Sequence, residues 1–442
     1  MRRIFPGYAY GPGPRDGCWW DETIAAPGWP RLGGDLSVDV AVIGGGYTGI
    51  SAALKLAGGG ASVAVLEAGT PGFGASGRNG GFCCLGGAKL DSAAMVRRWG
   101  PEGAAEWQAT ERAAVDLVAG LLDRFGIDAD RHSRGETRMA HRRRDMDELR
   151  REAGDMARGP GPEPELIEAA DLAAHGMSGP FCGALTTPVG FGLNPRKYLF
   201  GLADAAVAAG ARLFQLSPVT AMARVGGGHV LTAGEGQVRA DTVLIATNGY
   251  SSEDMPDWLA GRYMPAQSTV LVTRPLSNGE LAAQGWTSDQ MAYDTRSLLH
   301  YFRLMPDRRF LFGARGGLRA SPGAEAAVRA RLRRDFQTMF PAWAGIEVTH
   351  TWSGMVCLAR NRTPFVGPVP DMPGVFAGLA WHGNGVAMGS YSGHLLADLA
   401  MGRTPELPWP APMRMVPRKF PLGRWRRLLM APLYAGLALQ DY

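Results

Sequence analysis

"VDVAVIGGGYTGISAALKLAGGGASVAVLEAG", residues 38–69, sets the organisation of the chain. Its first six residues, VDVAVI (38–43), are mostly β-branched and small apolar side chains, the filling of a strand buried on both faces. Gly44, Gly46 and Gly49 follow at G-x-G-x-x-G spacing, then ISAALKLA, a run of good helix formers. ASVAVLEAG (61–69) reads as a second buried strand, so the segment is one βαβ unit. The three glycines have separate tasks. Gly44 permits the tight turn, Gly46 lets the backbone approach a pyrophosphate, and Gly49 lets helix pack closely on strand. Tyr47 and Thr48 open the helix, where unpaired N–H groups and the positive dipole end favour phosphate. Glu67, followed by Ala68, ends the second strand where a carboxylate accepts the ribose hydroxyls of a dinucleotide. No basic residue adjoins Glu67, which disfavours a 2′-phosphate; NAD and FAD both fit.

Outside this unit, 442 residues suffice for two domains with a substantial core. Hydrophobic and charged contents of 46% and 20% fit a soluble globular class, and the net charge of +5 is mild. The densest basic cluster, Arg142 to Arg144, precedes Asp145, Asp147 and Glu148 and reads as a solvated helix face, so no nucleic-acid partner is expected. Five cysteines without a CxxC pair argue against a disulfide framework or a metal site. The N-terminus has no apolar stretch of signal-peptide length, which makes cytoplasm the expected compartment. A second long stretch, FAGLAWHGNGVAMGSYSGHLLA (376–397), carries no charge and is long enough for a membrane span. Gly383-Asn384-Gly385 breaks it, and its histidines and serines need polar partners, so it reads as a buried loop entering a helix rather than a transmembrane segment.

Along the chain, GFGASGRNGG (72–81) is a backbone-exposing loop, and helical patterning dominates from about 91 to 157. NPRKYLFGLADAAVAAGA (194–211) is a helix opened by Asn194 with proline in its first turn. From about 262 to 357, strand patterns alternate with Gly, Pro and Asp turns, interrupted by one helix near 323–340. The fold class is therefore α/β, α+β overall: a Rossmann-like nucleotide domain interleaved with a domain on a mostly antiparallel sheet.

Several motifs in order, VIGGGYTGISAALKL…VLEAG, GASGRNGGF, NPRKY, VLIATNGY, LHYFRLMPDRRFLFGAR and NRTPFVG…GVFAGLAWHGNGVAMGSYSG, resemble the D-amino-acid oxidase-like family of FAD-dependent oxidoreductases. The similarity is to its γ-glutamylputrescine oxidoreductase-like branch, with monomeric sarcosine oxidase more distant. The resemblance implies FAD, with Ser76, Arg78, Asn79 and Gly80 along pyrophosphate and ring, and Val219 and Thr247 near the dinucleotide. It also implies that Gly383, Asn384, Gly385 and Val386 form a second flavin loop, where a helix N-terminus faces the ring and stabilises negative charge on it. The implied division is a discontinuous FAD-binding domain (36–90, 165–255, 350–405), a substrate domain (91–164, 256–349), an N-terminal extension (1–35) and a basic tail (406–442) packing on the FAD domain.

The implied reaction is hydride removal from the carbon next to an amine nitrogen, giving an imine that hydrolyses, with a small-molecule amine as substrate and O2 or another electron acceptor. An NAD-linked dehydrogenase and a non-catalytic flavin-binding subunit are the alternative readings. Two cations that grip the substrate carboxylate in sarcosine oxidase have no counterpart: Ala387 replaces one, and 82–88 contains no arginine. Arg303, Arg296 and Tyr301 are the substrate-side candidates in their place, with Arg315 as a further cation. Trp381 and His382 are expected to face substrate or flavin, and His300 is the nearest cation on the strand expected above the ring. Non-covalent FAD is expected; Cys357, near the position of a covalent anchor in sarcosine oxidase, offers the alternative of a linkage.

Overall fold

The computed structural model describes residues 1–159 and 161–441. Strand Leu36–Ile43 lies inside the first sheet, parallel to Val63–Leu66 on one side and Gly236–Ile245 on the other. The full path runs Phe365–Pro368, Val375–Leu379, Gly236–Ile245, Leu36–Ile43, Val63–Leu66, Arg212–Phe214, and only its first pair is antiparallel. Val219–Val225 and Gly228–Ala233 fold off Gly236–Ile245 as an antiparallel ribbon. Helices Tyr47–Gly58, Pro195–Ala208 and Gly385–Ala400 pack together against this sheet. The first and last cross so closely that a Cβ on Gly393 would stand 2.4 Å from the Thr48 carbonyl oxygen. Asn194 caps its helix as its sequence suggests, its side chain accepting from Arg196 and Lys197 N–H.

The second sheet runs Val348–Leu358, Met264–Thr273, Phe310–Arg315, His300–Leu304, Met291–Asp294, Glu136–Met139, Gly183–Thr187, Glu165–Glu168. It is antiparallel except where Met291–Asp294 meets Glu136–Met139. Strand alternation divides its faces. Phe302, Phe310 and Phe312 pack with Phe336 and Phe340 around the helix Pro322–Met339, while Tyr301 and Arg303 point the other way, toward the first sheet's loops.

Three expectations change. The helical stretch from 91 to 157 resolves into Ser92–Phe125, bent at Gly100 and Pro101, and Arg143–Ala157, with the strand Glu136–Met139 between them. In that strand Thr137 and Met139 are buried and Glu136 and Arg138 turn the other way, a period of two too short to stand out between helices. Strands Glu165–Glu168, Gly183–Thr187 and Val348–Leu358 belong to the second sheet, although 165–255 and 350–405 were assigned to the nucleotide domain. A strand's own alternation does not say which sheet it joins.

The tail departs most. Trp409 donates to the Val366 carbonyl of the first sheet, but the chain then crosses over. Met430 packs on Met264 and Ala266 of the second sheet, and the Asp441 carboxylate accepts from Ser297 and Leu298 N–H. Arg144 donates to the Gln440 carbonyl at 2.8 Å, and Arg142 donates to the same oxygen, so this arginine cluster holds a helix C-terminus instead of facing only solvent. Among the described residues no helix is long and apolar enough to cross a membrane, and no cluster of His, Cys, Asp and Glu is arranged to hold a metal ion.

Candidate active site

A cavity of about 590 Å³ opens between the loops at the C-terminal ends of the first sheet's strands and the facing side of the second sheet. Such crevices are where open α/β sheets take ligands. Every residue expected at the dinucleotide lines it except Gly49, which sits behind the turn. The turn is built for close approach. Gly44 has φ +109°, and a Cβ there would lie 2.8 Å from the Ala246 carbonyl oxygen; a Cβ on Gly49 would lie 2.0 Å from that of Gly44. Glu67 accepts from Gly45 N–H at 2.9 Å and Gly69 N–H at 2.8 Å, so its carboxylate is fixed at the mouth of the turn. Ser76 accepts from Tyr47 N–H, and Asn79 donates to Tyr47 Oη and accepts from Gly81 N–H, tying the second glycine loop to the first.

Arg78 is buried. It donates to the carbonyls of Phe73 and Ser353 and stacks over Phe73, yet its Nη2 has no partner. An orphaned guanidinium nitrogen on a cavity wall, beside turns that no Cβ could enter, suits an anionic group such as a pyrophosphate. The helix Gly385–Ala400 points its start at the same cavity, and the N–H groups of Gly385 and Val386 have no intrahelical partner.

Trp381 and His382 line the cavity, but His382 is committed to the backbone. Its Nδ1 donates to the Gly87 carbonyl at 2.8 Å, and its Nε2 accepts from Ala359 N–H at 3.1 Å. Burial lowers its pKa to about 4, so the ring is neutral and has no nitrogen free for acid–base work. Asn384 does not cap its own helix; it donates to the Leu85 carbonyl at 2.7 Å and to Cys84 Sγ. The two side chains lace the C-terminal glycine loop to the segment 84–87. Because the folded state depresses the His382 pKa, its stabilising contribution is full above the unfolded value near 6.5 and is lost as pH falls toward 4. We expect this residue to lower the unfolding free energy by about 2 kcal/mol between pH 7.5 and pH 5. Denaturant titrations at both pH values should show a shallower dependence in His382→Gln than in the wild type.

Of the substrate-side candidates only Tyr301 faces the cavity, its ring against Gly80 and Phe82. His300 is held by Asp294 at 2.8 Å and Asp335 at 3.5 Å; burial opposes its charge, but the two carboxylates outweigh that and raise its pKa. Arg296 is paired with Asp294 at 2.5 Å. Arg303 is wholly buried beneath the loop at Gly81 and does not reach the cavity. These three lie on or beside the right strand, but side chain and cavity part company there. Arg315, by contrast, is on the wall.

The sequence reading missed Lys89, Glu136 and Tyr293, all on the cavity wall. Burial, together with Arg315, lowers the Lys89 ammonium to about 8, and burial raises the Glu136 carboxyl to about 7. A signal existed for one: Lys89 is one of only four lysines in a chain with 46 basic residues and closely follows the glycine-rich loop.

The family model for FAD dependent oxidoreductases matches residues 39–399. The chain belongs to that family. "Probable oxidoreductase OrdL" of Rhizobium meliloti (strain 1021) is 32% identical over 99% of this chain and 98% of its own length. The gamma-glutamylputrescine oxidoreductase of Escherichia coli (strain K12) is 31% identical over 84% of this chain and 85% of its own. The crystal structure of glycine oxidase from Geobacillus kaustophilus superposes with TM-score 0.71 at 23% identity, covering 87% of this chain and all of that one, a likeness of fold. An FAD-dependent oxidoreductase fits the cradle just described, and the NAD-linked and non-catalytic readings find no support. Cys357 lines the cavity, but burial pushes its thiol up to about 12; this FAD-dependent oxidoreductase keeps it protonated, unlike a thiol poised for covalent attachment.

Proposed function

We propose that the protein oxidises the C–N bond of a small-molecule amine, a secondary amine, a polyamine derivative or an amino acid, and passes the electrons to O2 or another acceptor. One observation carries this reading. A single cavity joins the dinucleotide turns to a wall bearing Tyr301, Tyr293, Arg315 and Glu136 from the second sheet and Lys89 from the loop that follows the second glycine run. Gly44 to Thr48 would hold the pyrophosphate of FAD and Glu67 its adenosine ribose, Arg78 and Asn79 the pyrophosphate and ring edge, and the helix start at Gly385 the ring's electron-rich side. Bound there, FAD supplies a hydride acceptor. The protein's own part is orientation: Tyr301 and Trp381 wall the reacting end, and the laced segment 84–87 keeps the loops from parting. The reacting amine binds neutral, the form whose nitrogen lone pair lets the neighbouring carbon release a hydride. With five unpaired cysteines, we place the enzyme in the reducing cytoplasm.

The test is anaerobic mixing of the yellow holoenzyme with secondary amines, polyamine derivatives and amino acids. At least one amine is expected to bleach the flavin, and readmitted air to restore the colour quickly if O2 is the acceptor. A flavin that no amine bleaches would overturn the proposal.

A further inference from the structure

Two acidic side chains line the cavity among the described residues, Glu67 and Glu136. Glu67 is consumed at the dinucleotide turn by two backbone N–H groups. Glu136 is not consumed. It has no ion pair within 4 Å among the described residues, and its hydrogen-bonding neighbour is the neutral Cys84 thiol. The adjacent Arg138 is taken by Glu152, and Lys89, though near enough to be felt, makes no salt bridge to it. Burial favours the neutral form of this carboxyl, and a cationic ligand group placed beside it would favour the charged form.

Its place gives the ligand's shape. Tyr301 pairs with Tyr293 on the next strand, and Tyr293 with Arg138 on the one beyond, with Glu136 two residues along. Backbone spacings put Glu136 roughly 10–12 Å across the sheet from Tyr301. Tyr301 touches Gly80 of the loop that carries the cofactor candidates, so it marks the reacting end. We propose that Glu136 is a specificity residue that receives a positively charged group of the substrate, separated by several carbons from the carbon that is oxidised. The substrate class is thus a linear amine with a second, distal cation. This rests on the amine reading above and deepens it.

The probes are 1,4-diaminobutane against n-pentylamine, and 1,6-diaminohexane against n-heptylamine, pairs that differ by an ammonium in place of a methyl group. Binding to the oxidised holoenzyme is read from the perturbation of flavin absorption on rapid mixing, before reduction. At least one diamine should bind about tenfold or more tightly than its alkyl partner, as expected for a hydrogen bond to a charged group. Glu136→Gln should erase that preference while retaining flavin and alkylamine affinity, and Glu136→Asp should restore part of it. A wild type that does not discriminate within either pair would overturn the proposal. So would a Glu136→Gln variant that weakens both members of a pair equally, the mark of a structural role. Bleaching is scored separately: discrimination without reduction would strike the amine-oxidation reading and leave the Glu136 subsite standing.

Discussion

Gly49→Val should purify without yellow colour. A Cβ at Gly49 would lie 2.0 Å from the Gly44 carbonyl oxygen and 3.1 Å from Val42 Cγ1. The carbonyl cannot turn aside, because Gly44 N–H donates to the Leu66 carbonyl and its own Cβ direction is closed by Ala246. The helix Tyr47–Gly58 must therefore lift from Leu36–Ile43. Overpacking of this kind costs about 1–3 kcal/mol of stability. The larger loss falls on the cofactor, since the same shift moves the N–H groups of the first turn and breaks the Tyr47 contact to Ser76. A displacement of about 1 Å in such a cradle is expected to weaken FAD binding roughly 10²-fold. The ratio of flavin to protein absorbance measures it, with fluorescence titration of the apoprotein giving the affinity. Gly58→Ala in the same helix is the control, because a Cβ there meets nothing within 4 Å. A Gly49→Val protein with a full complement of flavin would refute the close-approach role.

The difference between Gly49 and Glu136 shows what the sequence could and could not carry. Gly49 is legible because its function is local: the turn, helix and strand it joins lie within thirty-two consecutive residues, and each has its own periodicity. The helix Pro195–Ala208, the run of strands after 262 and the glycine loop before Gly385–Ala400 are legible for the same reason. The substrate wall is not local. Glu136, Tyr293 and Tyr301 meet because the parallel contact of Met291–Asp294 with Glu136–Met139 joins segments some 155 residues apart. His382 shows a subtler limit. Its place on the cavity was legible from its neighbours, but its two hydrogen bonds go to Gly87 and Ala359, and only the folded chain reveals that neither nitrogen is free. The same holds for the tail, which the family resemblance implied would pack on the FAD domain and whose end is instead held beside the second sheet by Asp441 and Gln440.

Arg303→Met should lower stability substantially while leaving KM for the amine unchanged. The guanidinium is fully buried, donating to the Leu193 carbonyl at 2.8 Å and bonded to His132 Nε2 at 2.9 Å, with Nε unpaired. Burial depresses its pKa to about 9, so it remains charged at neutral pH despite its surroundings. Glycines at 81 and 192 make room for it: a Cβ on either would stand 2.4 Å from one of its nitrogens. The residue therefore pins the second sheet to the flavin-loop segment and to the short strand Phe191–Gly192. Methionine fills part of the volume but leaves the Leu193 carbonyl without a donor in the interior, a loss of about 2–4 kcal/mol once the poorer packing is included. Chemical denaturation measures that loss, and steady-state kinetics with the best bleaching amine measures the rest. Arg315→Met is the counterpart, because Arg315 reaches the cavity wall from the neighbouring strand of the same sheet. It should change KM with little effect on unfolding. If Arg303→Met instead raised KM at unchanged stability, Arg303 would be the substrate cation after all. Two arginines on neighbouring strands would then have exchanged roles, and the loop at Gly81 that covers Arg303 would have to open in solution.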